Sequence, residues 1–238
     1  NKQIKKNMRM IYILFTLFYL TSVIVNGLVE IEINTMNSMK DALTNLPSDW
    51  SDSVDPCDWT GIDCNGDYIE YITLNDYYIS GQLPSDFGNF DNVIVINLSS
   101  NNISGPIPIA LGNCGAIQEL DLSLNIFSES IPEELGDCKY LEKIALSDNL
   151  LTGFIPDSLG NLVLLKELHL HHNNINGTLP SLGNPSTGGT NNSLQTIDIS
   201  YTSISGSIPA SLFQLEFVKT IDLSYTFMHG ALPDVINM

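Results

Sequence analysis

Seven prolines, Pro84, Pro108, Pro132, Pro156, Pro180, Pro209 and Pro233, stand 24 residues apart except for one step of 29. A unit of that period is too small to bury its own apolar face, so neighbouring units must stack to build a core. A chain of this kind folds as a quasi-one-dimensional array. It presents long exposed surfaces, which points to recognition more than to catalysis.

The cleanest unit, residues 141–162, reads LEKIALSDNLLTGFIPDSLGNL. Apolar residues fall at Leu141, Ile144, Leu146 and Leu151, with Asn149 between the last two. Ile144 and Leu146 are two apart, so in a strand both point to one face while Lys143, Ala145 and Ser147 point to the other. The inward pair recurs as Ile96/Leu98, Leu120/Leu122, Leu168/Leu170, Ile197/Ile199 and Ile221/Leu223. Stacking then gives one short parallel strand per unit and a single curved sheet. Asn149 has counterparts in Asn101, Asn125 and Asn173. A buried amide without partners costs about 1–3 kcal/mol, so these side chains are expected to bond backbone groups where each strand turns. Tyr77 opens the series and Thr202 and Thr226 close it. Threonine supplies only part of that network, and looser final turns are expected.

After each turn comes Ser-Gly-x-Ile-Pro or a variant: SGQLP, SGPIP, TGFIP, NGTLP, SGSIP, HGALP. Glycine suits a backbone position of unusual φ, and proline fixes φ and removes a donor at the start of the return segment. Glu129 stands where glycine is expected, so the third unit is expected to turn differently. The L-x-x-L-x-L-x-x-N-x-L spacing is that of leucine-rich repeats. Runs such as LSSNNISGPIPIALGNC and LSDNLLTGFIPDSLGNL resemble the plant-type repeats of receptor-like kinases and receptor-like proteins, over residues 68–238. The resemblance implies an α/β leucine-rich-repeat solenoid, with one curved parallel sheet and about seven repeats in residues 67–238.

Lys2, Lys5, Lys6 and Arg9 precede an apolar run over residues 10–25 and the small Gly27, the pattern of a secretory signal over residues 1–27. The run falls short of the about 20 residues a spanning helix needs, which leaves an uncleaved signal anchor as the alternative. Met36, Met39, Leu43 and Leu46 follow at helical spacing. Next come Trp50 and Pro56-Cys57-Asp58-Trp59-Thr60-Gly61-Ile62-Asp63-Cys64, which resemble the N-terminal cap of plant leucine-rich-repeat ectodomains. That likeness assigns residues 28–66 to a cap over the open end of the first repeat, as terminal units require. In a secreted chain it implies a Cys57–Cys64 disulfide. Cys114 and Cys138 occupy the place held elsewhere by Leu162 and Leu215 and read as buried small apolar residues. A bridge between rungs about 4.8 Å apart is the alternative. Residue 1 is Asn, and Ile221, Leu223, Met228, Leu232 and Ile236 lack a following rung. A fragment of a longer receptor is therefore expected, with membrane attachment only through a missing C-terminal segment or an uncleaved anchor.

Beyond Gly27, 27 carboxylates face five basic residues. That balance argues against nucleic acid or an anionic membrane as a partner. Asn97, Asn102, Asn176 and Asn191 lie in N-x-[ST] sequons and are candidate glycosylation sites in a secretory chain. Asn97 ranks last because it falls in mid-strand on the concave face. The insertion over residues 183–192 is polar and turn-rich, a connector.

Outward strand positions form columns. One reads Thr73, Asn97, Asp121, Ala145, His169, Asp198, Asp222; just beyond the strands runs Asp76, Ser100, Leu124, Asp148, His172, Tyr201, Tyr225. Exposed aromatic and arginine side chains tend to carry binding energy, and no arginine follows Arg9. The contact candidates are therefore Lys143, Glu167, His169, His171, His172, Tyr201, Tyr225 and Leu124. His169 and His171 share a face, which suits a shared metal or a pH-sensitive contact. No motif of recognised metal spacing accompanies them, so plain surface polarity is the main reading, and neither metal nor cofactor is expected.

There is no P-loop, no H-E-x-x-H and no G-x-S-x-G, and no enzyme is expected. The resemblance implies an extracellular or cell-surface recognition module for a peptide or protein ligand, with a leucine-rich-repeat co-receptor as second partner. The alternative is a secreted inhibitor of a cell-wall-degrading enzyme, resembling polygalacturonase-inhibiting proteins, which carry about ten repeats and a closing cap. A wall-associated scaffold without a discrete ligand is a third class.

Overall fold

The computed structural model describes residues 24–25, 28–182 and 193–230. The basic start with most of the apolar run, the insertion with Asn191, and Leu232, Pro233 and Ile236 lie outside the described residues. Two short strands, β1 (Ile24–Val25) and β2 (Leu28–Val29), pair antiparallel ahead of helix α1 (Glu30–Ala42). Met36 and Met39 are wholly buried on one face of α1. The helix ends before the other half of the predicted stripe. Leu43 instead opens β3 (Leu43–Thr44), which pairs antiparallel with β6 (Ser80–Gln82), and Asn45 turns the chain with φ +63°.

The cap is sewn to the first repeat by polar contacts that a helical pattern does not reveal. Glu32 is buried, and its Oε2 accepts the Ile69 N–H at 2.9 Å. Burial pushes this carboxyl above its ordinary value, and the backbone donors work against that. Trp50 and Trp59 stack with centroids 4.6 Å apart, each indole N–H donating to a backbone carbonyl, of Thr60 and Val54 respectively. Cys57 and Cys64 form the implied disulfide. Cys64 lies in β4 (Ile62–Asn65), which pairs antiparallel with β5 (Tyr68–Thr73) and closes one edge of the main sheet.

From β5 onward the strands run parallel: β7 (Val95–Asn97), β9 (Glu119–Asp121), β11 (Lys143–Ala145), β13 (Glu167–His169), β15 (Thr196–Asp198) and β17 (Thr220–Asp222). Their register puts Lys143 beside Glu119 and Glu167, and His169 between Ala145 and Asp198. The inward pairs Ile72/Leu74 through Ile197/Ile199 are wholly buried, each side chain contributing about 1.5–3 kcal/mol. Behind them, Pro108, Pro132, Pro156 and Pro209 sit at the N-caps of 3₁₀ turns Ile109–Asn113, Glu133–Asp137, Asp157–Asn161 and Ala210–Gln214, with φ near −63°. The fixed φ of the proline ring thus starts each return segment.

The structure adds a second ladder to the one sheet that the repeat pattern yields. The Ser-Gly-x-Ile-Pro segments are themselves strands: β6, β8 (Asn102–Pro106), β10 (Ile126–Ser130) and β12 (Leu150–Thr152) form a five-stranded sheet with β3. Further along, β14 (Asn176–Thr178), β16 (Ser203–Gly206) and β18 (Phe227–Met228) form a three-stranded one. Partners here are offset by two from the period, as in Ser80 with Asn102 and Ser128 with Leu150, and pairing satisfies backbone groups that would otherwise lack partners.

Glu129 does not make the third unit turn differently. It adopts φ +67°, beside +79° at Gly105 and +73° at Gly153. Pairing of Glu129 with Leu151 and of its neighbours with Leu150 and Thr152 imposes that conformation. An L-residue there costs about 1–2 kcal/mol, and glycine's larger unfolded-state entropy offsets about 0.5–1. Glu129→Gly is therefore expected to stabilise the chain by about 0.5 kcal/mol, read as a rise in the urea midpoint. A fall would show that the Glu129 side chain contributes more than its backbone strain costs.

Candidate functional site

Three residues past each of the seven parallel strands of the main sheet stands a residue forced into left-handed backbone. Asp76, Ser100, Leu124, Asp148, His172, Tyr201 and Tyr225 have φ between +52° and +62°. None is glycine, and an isolated residue would resist this conformation. The cause is the ladder: in the first six the N–H donates to a carbonyl of the following rung, as from Asp148 to His171, His172 to Ser200 and Tyr201 to Ser224, at 2.9 to 3.1 Å, and Tyr225 ends the row with the same backbone. The column therefore projects like a comb, one tooth per rung.

Where the teeth are aromatic they stack. His172 and Tyr201 rings lie 4.3 Å apart and 10° from parallel, and Tyr201 and Tyr225 lie 4.2 Å apart and 17° from parallel. These separations are close to the strand spacing of about 4.8 Å, so the backbone supplies the stacking distance. Tyr201 is 45% and Tyr225 72% exposed. The Tyr225 side chain raises the Tyr201 phenol above its ordinary value by hydrogen bonding. Leu124, 53% exposed, is separated from this row by the Asp148 tooth.

His171 meets the row edge-on, 5.7 Å from His172, and His169 lies 6.3 Å from His171. Carboxylates surround the pair: Asp198 Oδ2 is 3.2 Å from His171 Nδ1, Asp148 Oδ2 is 3.5 Å from His171 Nε2, and Glu167 Oε2 is 3.5 Å from His169 Nε2. Glu167 is near in sequence, and Asp148 lies one repeat earlier. Asp198 belongs to the next repeat, beyond the insertion, and column position was its only sequence signal. Lys143 is committed elsewhere: its ammonium lies 2.7 Å from Glu119 and 3.3 Å from Asp121. Burial pulls its proton affinity down, and these carboxylates more than restore it, holding it above the ordinary lysine value.

Other predicted positions fall as follows. Asn102 and Asn176 are exposed at the starts of β8 and β14. Asn97 is half-buried, its Oδ1 accepting from the N–H and hydroxyl of Ser99. Cys114 and Cys138 are buried free thiols, donating to the carbonyls of Gly88 and Leu111. Burial pushes them up to about 12 and about 11, which keeps them protonated and inert. A cleft of about 310 Å³ between Asn65, Tyr68, Glu70, Ile94 and Gln118 includes none of the contact candidates. Among the described residues no helix is long and apolar enough to cross a membrane.

Comparison with known proteins agrees with this geometry. Residues 32–65 match the leucine rich repeat N-terminal domain, and residues 92–114, 116–138, 140–162, 164–184 and 193–215 match the leucine rich repeat. Among solved structures, PEPR1 bound to AtPEP1 superposes with a TM-score of 0.77 at 32% identity, over 84% of this chain and 28% of that one. Pollen Receptor Kinase 3 gives 0.71 at 27% identity, over 86% of this chain and 99% of that one. The ectodomain of the Arabidopsis thaliana receptor kinase GASSHO1/SCHENGEN3, bound to CASPARIAN STRIP INTEGRITY FACTOR 2, gives 0.67 at 28% identity, over 85% and 27%. This chain thus spans little more than a quarter of the length of PEPR1 and of the GASSHO1/SCHENGEN3 ectodomain. Cap, disulfide, repeat and stacked parallel sheet together place the chain in the leucine-rich-repeat family, with the fold of plant receptor ectodomains.

Proposed function

We propose that this chain is an extracellular, non-catalytic recognition module that binds a peptide or protein ligand across the open face of its eight-stranded sheet. The observation that carries the reading is the exposed row His172–Tyr201–Tyr225. Three rings already fixed by stacking offer apolar area and polar tips at little further entropic cost. Glu167, His169 and His171 flank the row; Leu124 extends the surface beyond Asp148, and Lys143 acts only as a partner of Glu119 and Asp121. PEPR1 is solved with AtPEP1, GASSHO1/SCHENGEN3 with CASPARIAN STRIP INTEGRITY FACTOR 2, the Arabidopsis receptor kinase HAESA with an IDA peptide hormone ligand and SERK2 with BIR3, which supports a peptide ligand and a leucine-rich-repeat co-receptor here. Glycans on Asn102 and Asn176 would leave the open face clear, and membrane attachment would come only from segments outside the described residues.

The test is calorimetric titration of the secreted chain with AtPEP1 and CASPARIAN STRIP INTEGRITY FACTOR 2 and with a SERK2 ectodomain. For any binder, Tyr201→Ala and Tyr225→Ala are each expected to weaken affinity by about 30-fold, the loss of a hot spot worth about 2 kcal/mol. A binder that ignores both variants and His172→Ala would move the site elsewhere on the solenoid.

A further inference from the structure

We propose that His169, His171 and Asp198 form a binding site for a divalent transition metal of the zinc class on the open face of the main sheet. Such a site is independent of the ligand reading above. One donor atom from each of the three residues falls within 4.8 Å of the others, and all three side chains are half-buried.

The rung of β13 departs from the repeat's own rule. In four rungs the corresponding positions hold an Asx and a Ser two residues later, and the Asx carboxylate or amide oxygen caps that Ser. Asn97 binds Ser99, Asp121 binds Ser123, Asp198 binds Ser200, and Asp222 binds the Ser224 N–H. Only in the rung of β13 are both positions imidazole. Ala145, the small residue registered against His169 on the other side, leaves room around the ring.

The donors are also aimed at one another. His171 Nδ1 is buried from solvent and makes no hydrogen bond, although Asp198 Oδ2 lies 3.2 Å away. An imidazole nitrogen and a carboxylate oxygen that face each other at this distance, outside hydrogen-bond geometry, are what a cation between them would join. Asp198 is already held in a ligating pose. Its Oδ1 accepts from the Ser200 N–H at 3.0 Å and hydroxyl at 2.7 Å, which leaves Oδ2 toward the histidines. On the far side of the ring, Asp148 Oδ2 stands 3.5 Å from His171 Nε2, so ligation through Nδ1 would leave Nε2–H directed at a carboxylate. Such a carboxylate–histidine–metal relay orients the ligand and raises its basicity.

Two imidazoles and one carboxylate suit zinc and its neighbours and not calcium or magnesium, which take oxygen ligands. A tetrahedral centre with metal–ligand bonds of about 2.0–2.1 Å needs donors about 3.3 Å apart. Rotation of the His169 ring toward Asp198 supplies the contraction. Three protein ligands leave the fourth position open to the face. Glu167, Asp148, Asp222 and His172 are the other titratable groups around the pair, so the site carries excess negative charge at neutral pH. Protons compete with the metal for the imidazole nitrogens, so affinity falls in acid.

The experiment uses the tag-free secreted chain, stripped of metal with a chelator, and titrates it with Zn²⁺ by calorimetry and with Co²⁺ by visible absorption. One equivalent of each is expected to bind, Co²⁺ giving the intense visible bands of a four-coordinate ion, while Mg²⁺ and Ca²⁺ do not bind. Asp198→Asn keeps the Ser200 cap, as Asn97 keeps that of Ser99, and is expected to weaken Zn²⁺ binding by about tenfold or more. The double change His169→Asp with His171→Ser restores the repeat's rule and is expected to abolish binding while leaving the metal-free unfolding midpoint unchanged or higher. Absence of binding in the parent chain, or equal binding in the double variant, would overturn the proposal.

Discussion

Asn149→Leu is expected to lower the stability of the solenoid by about 3 kcal/mol. The amide of Asn149 touches four backbone groups in two rungs. Its Oδ1 accepts the Phe127 N–H at 2.9 Å, and its Nδ2 donates to the carbonyls of Leu122, Leu146 and Ser147 at 3.0 to 3.1 Å. These losses are unequal. Leu122 and Leu146 keep bonds from Asn125 and Asn173, and Ser147 keeps the Leu124 N–H. The Phe127 N–H loses its amide partner inside the core, a burial that costs about 1–3 kcal/mol by itself. Three weakened carbonyls add about 1 kcal/mol each, and the extra apolar burial of leucine returns about 1–2. Against a total stability of about 5–15 kcal/mol the change is large. Because each rung contacts only its neighbours, it also weakens the coupling between the two halves of the array. The urea midpoint followed by circular dichroism is expected to fall, with a broader or divided transition. An unchanged midpoint would show that the ladder contributes no net stability.

What the chain reveals without coordinates depends on how far each requirement reaches. The inward pairs, the asparagines and the prolines are legible because strand alternation and turn chemistry act within one 24-residue unit, and the period repeats them. The Cys57–Cys64 bridge was legible through its resemblance to a family pattern. Requirements set by the next rung are not. Leu124, Asp148 and Tyr201 carry no sign of left-handed backbone, because inter-rung hydrogen bonds impose it on whatever residue stands there. Glu129 looks like a change of turn for the same reason. Lys143 looks available until its reach to Glu119 and Asp121 is known. The stack of His172, Tyr201 and Tyr225 is legible as a column of aromatics, but its ring contacts follow from a spacing only coordinates fix.

Gly136 shows that limit at its sharpest, and Gly136→Val is expected to cost about 3 kcal/mol. The residue lies in the 3₁₀ turn Glu133–Asp137, outside the left-handed region, so its backbone suits any residue. Space is what it lacks. A Cβ there would fall 2.5 Å from Ser158 Cβ and 2.6 Å from Ser158 O, in the next turn of the stack. Gly112 meets Glu134 and Gly160 meets Ser181 in the same way, each at 2.6 Å. The three glycines form a spine along which successive turns approach backbone to backbone, on the side opposite the sheet. A side chain in that spine must push two rungs apart, and the main-sheet ladder, built at one spacing, resists the opening. Gly115, just past the turn that holds Gly112, would carry a Cβ with nothing within 4 Å of it. Gly115→Val is the matched control, expected to stay within about 0.5 kcal/mol. Thermal unfolding of the two variants separates the ideas: a large fall for Gly136→Val alone confirms the spine, whereas equal falls would trace the cost to valine's backbone preference and not to rung spacing.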